Sequence, residues 1–152
     1  KLEGGSEHTE VITTLISNNI NVFGHLGLQP QLVISSDDYR VQGRDEDSAK
    51  TIISNAILLE SLGVSALVLE CIPSDLAKTV SEKLNIPTVG IGAGSDCDGQ
   101  VLVSYDMLGI TKGKQPRFVR NFLNNQNSIS DAVETFIAEV KEGNFPSQSE
   151  SY

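Results

Sequence analysis

The chain has 152 residues, 39% hydrophobic and 20% charged, a composition suited to one globular domain with its own core and unlike that of a disordered chain. Its formal net charge of −9 and pI near 4.6 repel nucleic acid and anionic membranes, so a small molecule or another protein is the expected partner. No apolar stretch approaches the roughly 20 residues that span a bilayer, and no charged-then-apolar leader opens the sequence. Cys71 and Cys97 stand at no metal-ligand spacing. The expectation is a cytoplasmic protein in a reducing compartment, with no nucleic-acid and no membrane partner.

Lys1-Leu2-Glu3-Gly4-Gly5 reads as a strand end followed by a turn. Val11, Ile12, Leu15 and Ile16 then form a helical apolar stripe, and residues 21–23 form a strand-like run into Gly24-His25. From Gly24 to Asp47 the sequence has loop chemistry without an apolar period, including Ser35-Ser36-Asp37-Asp38. A connection that long in a compact domain is usually functional or disordered. Ala49, Ile52, Ile53 and Ala56 recur at helical spacing, and Gly63 is the expected stop.

Residues 66–69 and 88–91 are apolar without polar alternation, the pattern of parallel strands buried on both faces. Between them Ser74 is the expected N-cap of a helix carrying Leu76, Ala77, Val80 and Leu84. Residues 100–103 predict a further strand. Pro116 predicts the first turn of a helix carrying Phe118, Val119, Phe122 and Leu123. Ser128 and Asp131 resemble a capping box ahead of a last helix. The polar residues 144–152 read as a frayed tail. Strand–helix alternation of this kind predicts a parallel α/β fold, either an open sheet or part of a barrel.

Parallel α/β sheets assemble active sites at the carboxyl ends of their strands. Glu70 closes the run Ser65-Ala66-Leu67-Val68-Leu69 and is followed by Cys71-Ile72-Pro73, so it is the leading candidate for chemistry. The alternative is a solvated strand-end glutamate. His25 follows a strand on the same expected face, although a lone histidine is more often structural. Lys1 and Glu3 alternate along one strand and therefore point to one face. Gly90-Ile91-Gly92-Ala93-Gly94 follows a strand, but the acidic stretch after it leads to another strand. A dinucleotide loop needs a helix N-terminus there, so the run reads as close backbone approach at a rim. Asp96, Asp98 and Asp106 read as turn formers or caps. Arg40 and Arg44 could recognise an anion or balance neighbouring acids.

The ordered motifs resemble one family. They are Lys1-Leu2-Glu3-Gly4-Gly5, Gly24-His25-Leu26-Gly27-Leu28-Gln29-Pro30-Gln31, Val41-Gln42-Gly43-Arg44, Leu67-Val68-Leu69-Glu70-Cys71-Ile72-Pro73, and the stretch from Gly90 through Asp98-Gly99-Gln100 to Asp106-Met107-Leu108-Gly109. Together they are similar to the ketopantoate hydroxymethyltransferases. The resemblance implies a (β/α)8 TIM barrel, with this chain its C-terminal part from the end of the fourth strand. Residues 1–146 would belong to the catalytic domain and residues 147–152 to a polar tail. It also implies Mg2+ and methylenetetrahydrofolate, with transfer of a hydroxymethyl group to α-ketoisovalerate. By the same resemblance Glu70 matches the proton acceptor, Lys1 a ketoacid-binding lysine, His25 a substrate-pocket histidine and Glu3 an acidic residue at the metal.

The family's two metal-binding aspartates lie on strands upstream of the position matched by Lys1. Glu3 alone is a poor magnesium site, because the ion takes near-octahedral oxygen ligation. Three functions follow as expectations: the C-terminal piece of an active transferase, a non-catalytic half-barrel serving as an assembly module, or a related barrel enzyme for another ketoacid. A half-barrel exposes strand edges, so the expected partner is the missing N-terminal half or another copy of the chain.

Overall fold

Five parallel strands lie side by side in their order along the chain: β1 (Leu2–Glu3), β2 (Phe23–Gly27), β3 (Ala66–Glu70), β4 (Thr88–Ile91) and β5 (Gly99–Gln100). The computed structural model that defines them describes residues 1–34 and 39–152. The first three crossovers are the helices α1 (Thr9–Ser17), α2 (Glu46–Leu62) and α3 (Ser74–Lys83). Residues from all three share one core with the sheet: Ile12 of α1, Ala56 and Leu59 of α2, and Ala77 and Val80 of α3 pack with Leu26, Leu67 and Leu69. A doubly wound sheet reverses its strand order and carries helices on both faces. Here the order never reverses and the helices stay on one side, which is the progression of a barrel wall. The fold is α/β with a parallel five-stranded sheet, a part of a barrel.

Each large side chain in that helix-facing core contributes about 1.5–3 kcal/mol by leaving water. The other sheet face differs because strand residues alternate. His25, Val68, Glu70, Val89 and Ile91 face the barrel interior and line a cavity with Lys1 and Phe23. Register fixes the rows: Glu3 pairs with His25, His25 with Val68, Gly27 with Glu70, and Glu70 with Ile91.

Several expected elements form as read. α2 starts where Asp45 accepts the Ser48 N–H at 2.9 Å and ends at Gly63 in the left-handed conformation. The last long helix, α5 (Ile129–Lys141), starts where the Ser128 hydroxyl accepts the Asp131 N–H at 3.1 Å. The strand expected at 100–103 ends at Gln100, and Val103 is the N-cap of a short helix, α4 (Ser104–Met107). The helix expected after Pro116 does not form. Asn121 Oδ1 accepts the Leu123 and Asn124 N–H groups in a local turn, and the Phe122 N–H goes to Met107 O at 2.8 Å. The apolar spacing there arises because Phe118 and Phe122 anchor in two different clusters. Residues 35–38 of the expected long loop lie outside the described residues.

Ser74 is the first residue of α3 and not its cap: Pro73 occupies the cap position. The Ser74 N–H and hydroxyl both donate to the main-chain oxygen of Tyr152, at 2.9 and 2.8 Å. Residues 144–152, expected to fray, are docked. Phe145 is 3% exposed and stacks edge-on with Phe122 and Phe136. Ser147 and Glu150 form a capping box, and Arg120 holds Glu150 through two nitrogens at 2.7 and 2.6 Å. The segment looks polar in sequence because its polar groups are bonded to protein.

Candidate active site

Three neighbouring strands place four ionisable side chains in a row. Lys1 Nζ lies 2.6 Å from His25 Nδ1 and 3.1 Å from Glu3 Oε1. On the other side of the imidazole, His25 Nε2 lies 3.0 Å from Glu70 Oε2. His25 is 1% exposed. A lysine ammonium can only donate, so Nδ1 is the acceptor and Nε2 carries the proton. The Nε2–Oε2 distance is that of a hydrogen bond, but the direction is not, and Nε2 makes no aligned bond among the described residues. The geometry therefore brings the imidazole against Glu70 without saturating it, as catalytic contacts often are before substrate arrives.

Burial pushes the Glu3 carboxyl up, but the Lys1 ammonium and the Gln31 N–H outweigh it and hold Glu3 below the usual carboxylate range. Glu3 stays ionised beside Lys1. Glu70 is set by its backbone. The Leu28 N–H donates to Glu70 O at 2.8 Å, the Cys71 N–H to Ile91 O at 2.9 Å, and the Gln42 N–H to Cys71 O at 2.9 Å. Gly27, at φ +96°, lets β2 approach so closely that a Cβ there would fall on the Glu70 carbonyl oxygen. Cys71 takes φ +54°, a left-handed conformation costing a side-chain-bearing residue about 1–2 kcal/mol. That strained corner ends β3 and turns the chain away while Glu70 stays on the inner face.

The row opens onto a cavity of about 470 Å³ walled by Phe23, Val68, Val89, Ile91 and Val101. The arrangement offers a small organic acid an ammonium group at one end, a carboxylate base at the other, and apolar walls between. All four residues singled out in sequence, Lys1, Glu3, His25 and Glu70, are brought together here.

Other candidates have structural duties. Asp98 Oδ2 accepts the Thr88 N–H at 2.7 Å and its hydroxyl at 3.0 Å, tying β4 to the start of β5. Asp96 faces Lys78 at 3.7 Å on the surface. The Gly-rich turn is filled by protein, since a Cβ at Gly92 would meet the Phe118 ring at 2.6 Å. Arg40 and Arg44 line separate clefts, neither of which contains Lys1, His25 or Glu70. Sequence reasoning missed Phe118 and Tyr152, which reach the rim beside Glu70 and Cys71 from the far end of the chain. Nothing in their local sequence marks them.

A parallel barrel wall with ionisable side chains gathered at the carboxyl ends of its strands is the build of a barrel enzyme. Which enzyme family is settled by comparison. Residues 1–148 match the family described as ketopantoate hydroxymethyltransferase, and the chain belongs to that family of barrel transferases. It is 56% identical over 152 residues to the 3-methyl-2-oxobutanoate hydroxymethyltransferase of Vesicomyosocius okutanii subsp. Calyptogena okutanii (strain HA). The proteins of the same name from Ruthia magnifica subsp. Calyptogena magnifica and Buchnera aphidicola subsp. Schizaphis graminum (strain Sg) are 55% and 48% identical. Each comparison covers 100% of this chain and 58% of the relative. The chain thus spans a little over half the length of these curated relatives. No helix among the described residues is long and apolar enough to cross a membrane.

Among the described residues, no three His, Cys, Asp or Glu side chains converge on a metal position. Glu3, the one carboxylate matched to the metal, is engaged by Lys1 and the Gln31 N–H. One carboxylate falls short of the oxygen set magnesium takes. The described residues do not by themselves fit that ion, and no chemical step below runs through it.

Proposed function

We propose that the complete protein to which this chain belongs transfers a hydroxymethyl group from methylenetetrahydrofolate to α-ketoisovalerate (3-methyl-2-oxobutanoate), forming ketopantoate for pantothenate synthesis. The observation that carries the reading is the Lys1–His25–Glu70 row, facing one largely apolar cavity. The branched carbon chain of the acid suits the valine and isoleucine walls, and its carboxylate suits the Lys1 ammonium.

Glu70 takes the proton from the carbon next to the ketone, and the C–H electron pair becomes the enolate. The ammonium of Lys1 lowers the cost of the negative charge on the oxo acid. Water releases the one-carbon unit: its oxygen bonds to the methylene carbon as both folate C–N bonds break, and its two protons go to the two nitrogens, giving tetrahydrofolate. The enolate carbon then bonds to that carbon, now at the oxidation level of formaldehyde, and the resulting alkoxide takes back the proton held by Glu70. Bonds and charges balance without any oxidant or reductant, and Glu70 is returned to its carboxylate form. His25, with Nδ1 2.6 Å from Lys1 Nζ and Nε2 3.0 Å from Glu70 Oε2, stands between the two and sets the spacing of base and ammonium.

The test is proton exchange. The full-length protein in D2O should exchange the hydrogen on the branched carbon of 3-methyl-2-oxobutanoate, and Glu70→Gln should abolish that exchange. Undiminished exchange in the Glu70→Gln variant overturns the assignment of the base. A full-length protein that neither exchanges this hydrogen nor forms ketopantoate overturns the proposed reaction.

A further inference from the structure

A second cavity, of about 240 Å³, has Glu70 in its lining but neither Lys1 nor His25. It shares Pro30, Glu70, Ile91 and Val103 with the first cavity, so the two meet at the candidate base. Their chemistry differs. The first contains the Lys1 ammonium. The second contains no lysine or arginine in its lining, but three aromatic rings, Tyr39, Phe118 and Tyr152, and two carboxylates, Glu70 and Asp106. Thr111 donates to Asp106 Oδ1 at 2.6 Å, leaving Oδ2 free among the described residues. The Cys71 thiol beside the Tyr152 hydroxyl is neutral, since burial and the nearby Glu70 charge push it up to about 11.

The wall is rigid where it matters. Phe118 and Tyr152 meet edge to face with ring centroids 6.3 Å apart. Tyr152 is fixed by the two Ser74 bonds to its main-chain oxygen, by the Arg117 guanidinium 5.4 Å from its ring centroid, and by the Arg120–Glu150 pair just before it. A slot lined by aromatic rings and two carboxylates, with no lysine or arginine in its lining, is a poor host for the carboxylate of a 2-oxo acid. It suits an uncharged planar ring that presents N–H groups, which stacks on the aromatic faces and donates to the acids. At about 240 Å³ it is below the usual range of ligand clefts, about 300–1,000 Å³, so it takes one ring system and not a whole cofactor-sized molecule.

Resting on the transferase reading above, we infer that this cavity is the donor subsite: it binds the nitrogen-rich bicyclic ring of the folate one-carbon donor between Tyr152, Phe118 and Tyr39, with Asp106 accepting from its N–H edge. The oxo acid then enters from the Lys1 side and the donor from the Tyr152 side. Glu70 stands where the new carbon–carbon bond forms, and Tyr152 and Asp106 become binding residues for the second substrate.

The experiment measures equilibrium binding of tetrahydrofolate and, separately, of 3-methyl-2-oxobutanoate to the full-length protein by titration calorimetry. Tyr152→Ala and Asp106→Asn should each weaken tetrahydrofolate by about tenfold or more while leaving the oxo acid within about twofold. Tyr152→Phe, which keeps the ring, should recover tetrahydrofolate binding to within about threefold. Unchanged tetrahydrofolate affinity in both variants overturns the inference, as does parallel weakening of both ligands, which would mark a structural role. A wild-type protein that does not bind tetrahydrofolate overturns it too. A wild-type protein that binds tetrahydrofolate through Tyr152 and Asp106 yet performs no transfer supports the subsite and overturns only the reaction.

Discussion

Two charged clusters in this molecule are built on opposite plans. Around Arg120 the guanidinium reaches Glu139, both oxygens of Glu150 and the Asn144 carbonyl, and sits 5.2 and 5.0 Å from the Phe122 and Phe145 ring centroids. Every nitrogen of the fork has an acceptor. Around His25 the contacts are as short, but the imidazole Nε2 makes no aligned bond even though Glu70 is 3.0 Å away. A buried donor left without an aligned acceptor costs about 1–3 kcal/mol. The saturated cluster holds an otherwise polar segment against the barrel, whereas the unsaturated one keeps a carboxylate available to a substrate.

That contrast breaks most sharply at Glu70. Glu70→Gln should lower kcat by about a thousandfold, with unfolding free energy changed by less than about 1 kcal/mol, as read by steady-state assay and urea denaturation of the full-length protein. Arg120→Ala should do the reverse, costing about 2 kcal/mol of stability and releasing residues 144–152, detected by denaturation and by limited proteolysis in that segment.

The acid side of the stability profile sharpens the comparison further. Burial pushes the Glu150 carboxyl up, but Arg120 and the Ser147 hydrogen bonds outweigh it and bring it down to about 2, against an ordinary 4.5. As pH falls, the unfolded chain takes up that proton first. The Glu150 contribution is therefore whole above about pH 4.5, decays between 4.5 and 2, and is gone below. Urea midpoints from pH 6 to pH 3 should fall more steeply for wild type than for Glu150→Gln, and equal slopes would remove Glu150 from the account. A further effect belongs to Cys71, beside Glu70 and Tyr152. With its thiol raised to about 11, alkylation at neutral pH should be about a hundredfold slower than in the unfolded chain, measured by mass spectrometry.

The helix-facing core and the ionisable row were legible in sequence because both follow from local periodicity. Lys1 and Glu3 share a face by alternation, and Glu70 sits where an apolar strand meets a proline turn. The docked segment was not legible. Its order comes from Arg120, Arg117 and Ser74, up to 78 residues distant, and no window along the chain contains both partners. The missing helix after Pro116 has a related cause. Phe118 and Phe122 are spaced like one helical face, but Asn121 turns the backbone between them and sends the rings into different clusters. Periodicity reports which residues are buried, not that they are buried in the same place.

The pair of bonds from Ser74 to Tyr152 also makes one amide proton a gauge. Ser74 opens the helix that follows Glu70, and Pro73 has no side-chain acceptor with which to cap it locally. The Ser74 N–H is shielded only while Tyr152 is seated. Its hydrogen-exchange rate therefore reads the opening of the wall beside Glu70 directly, separate from global unfolding.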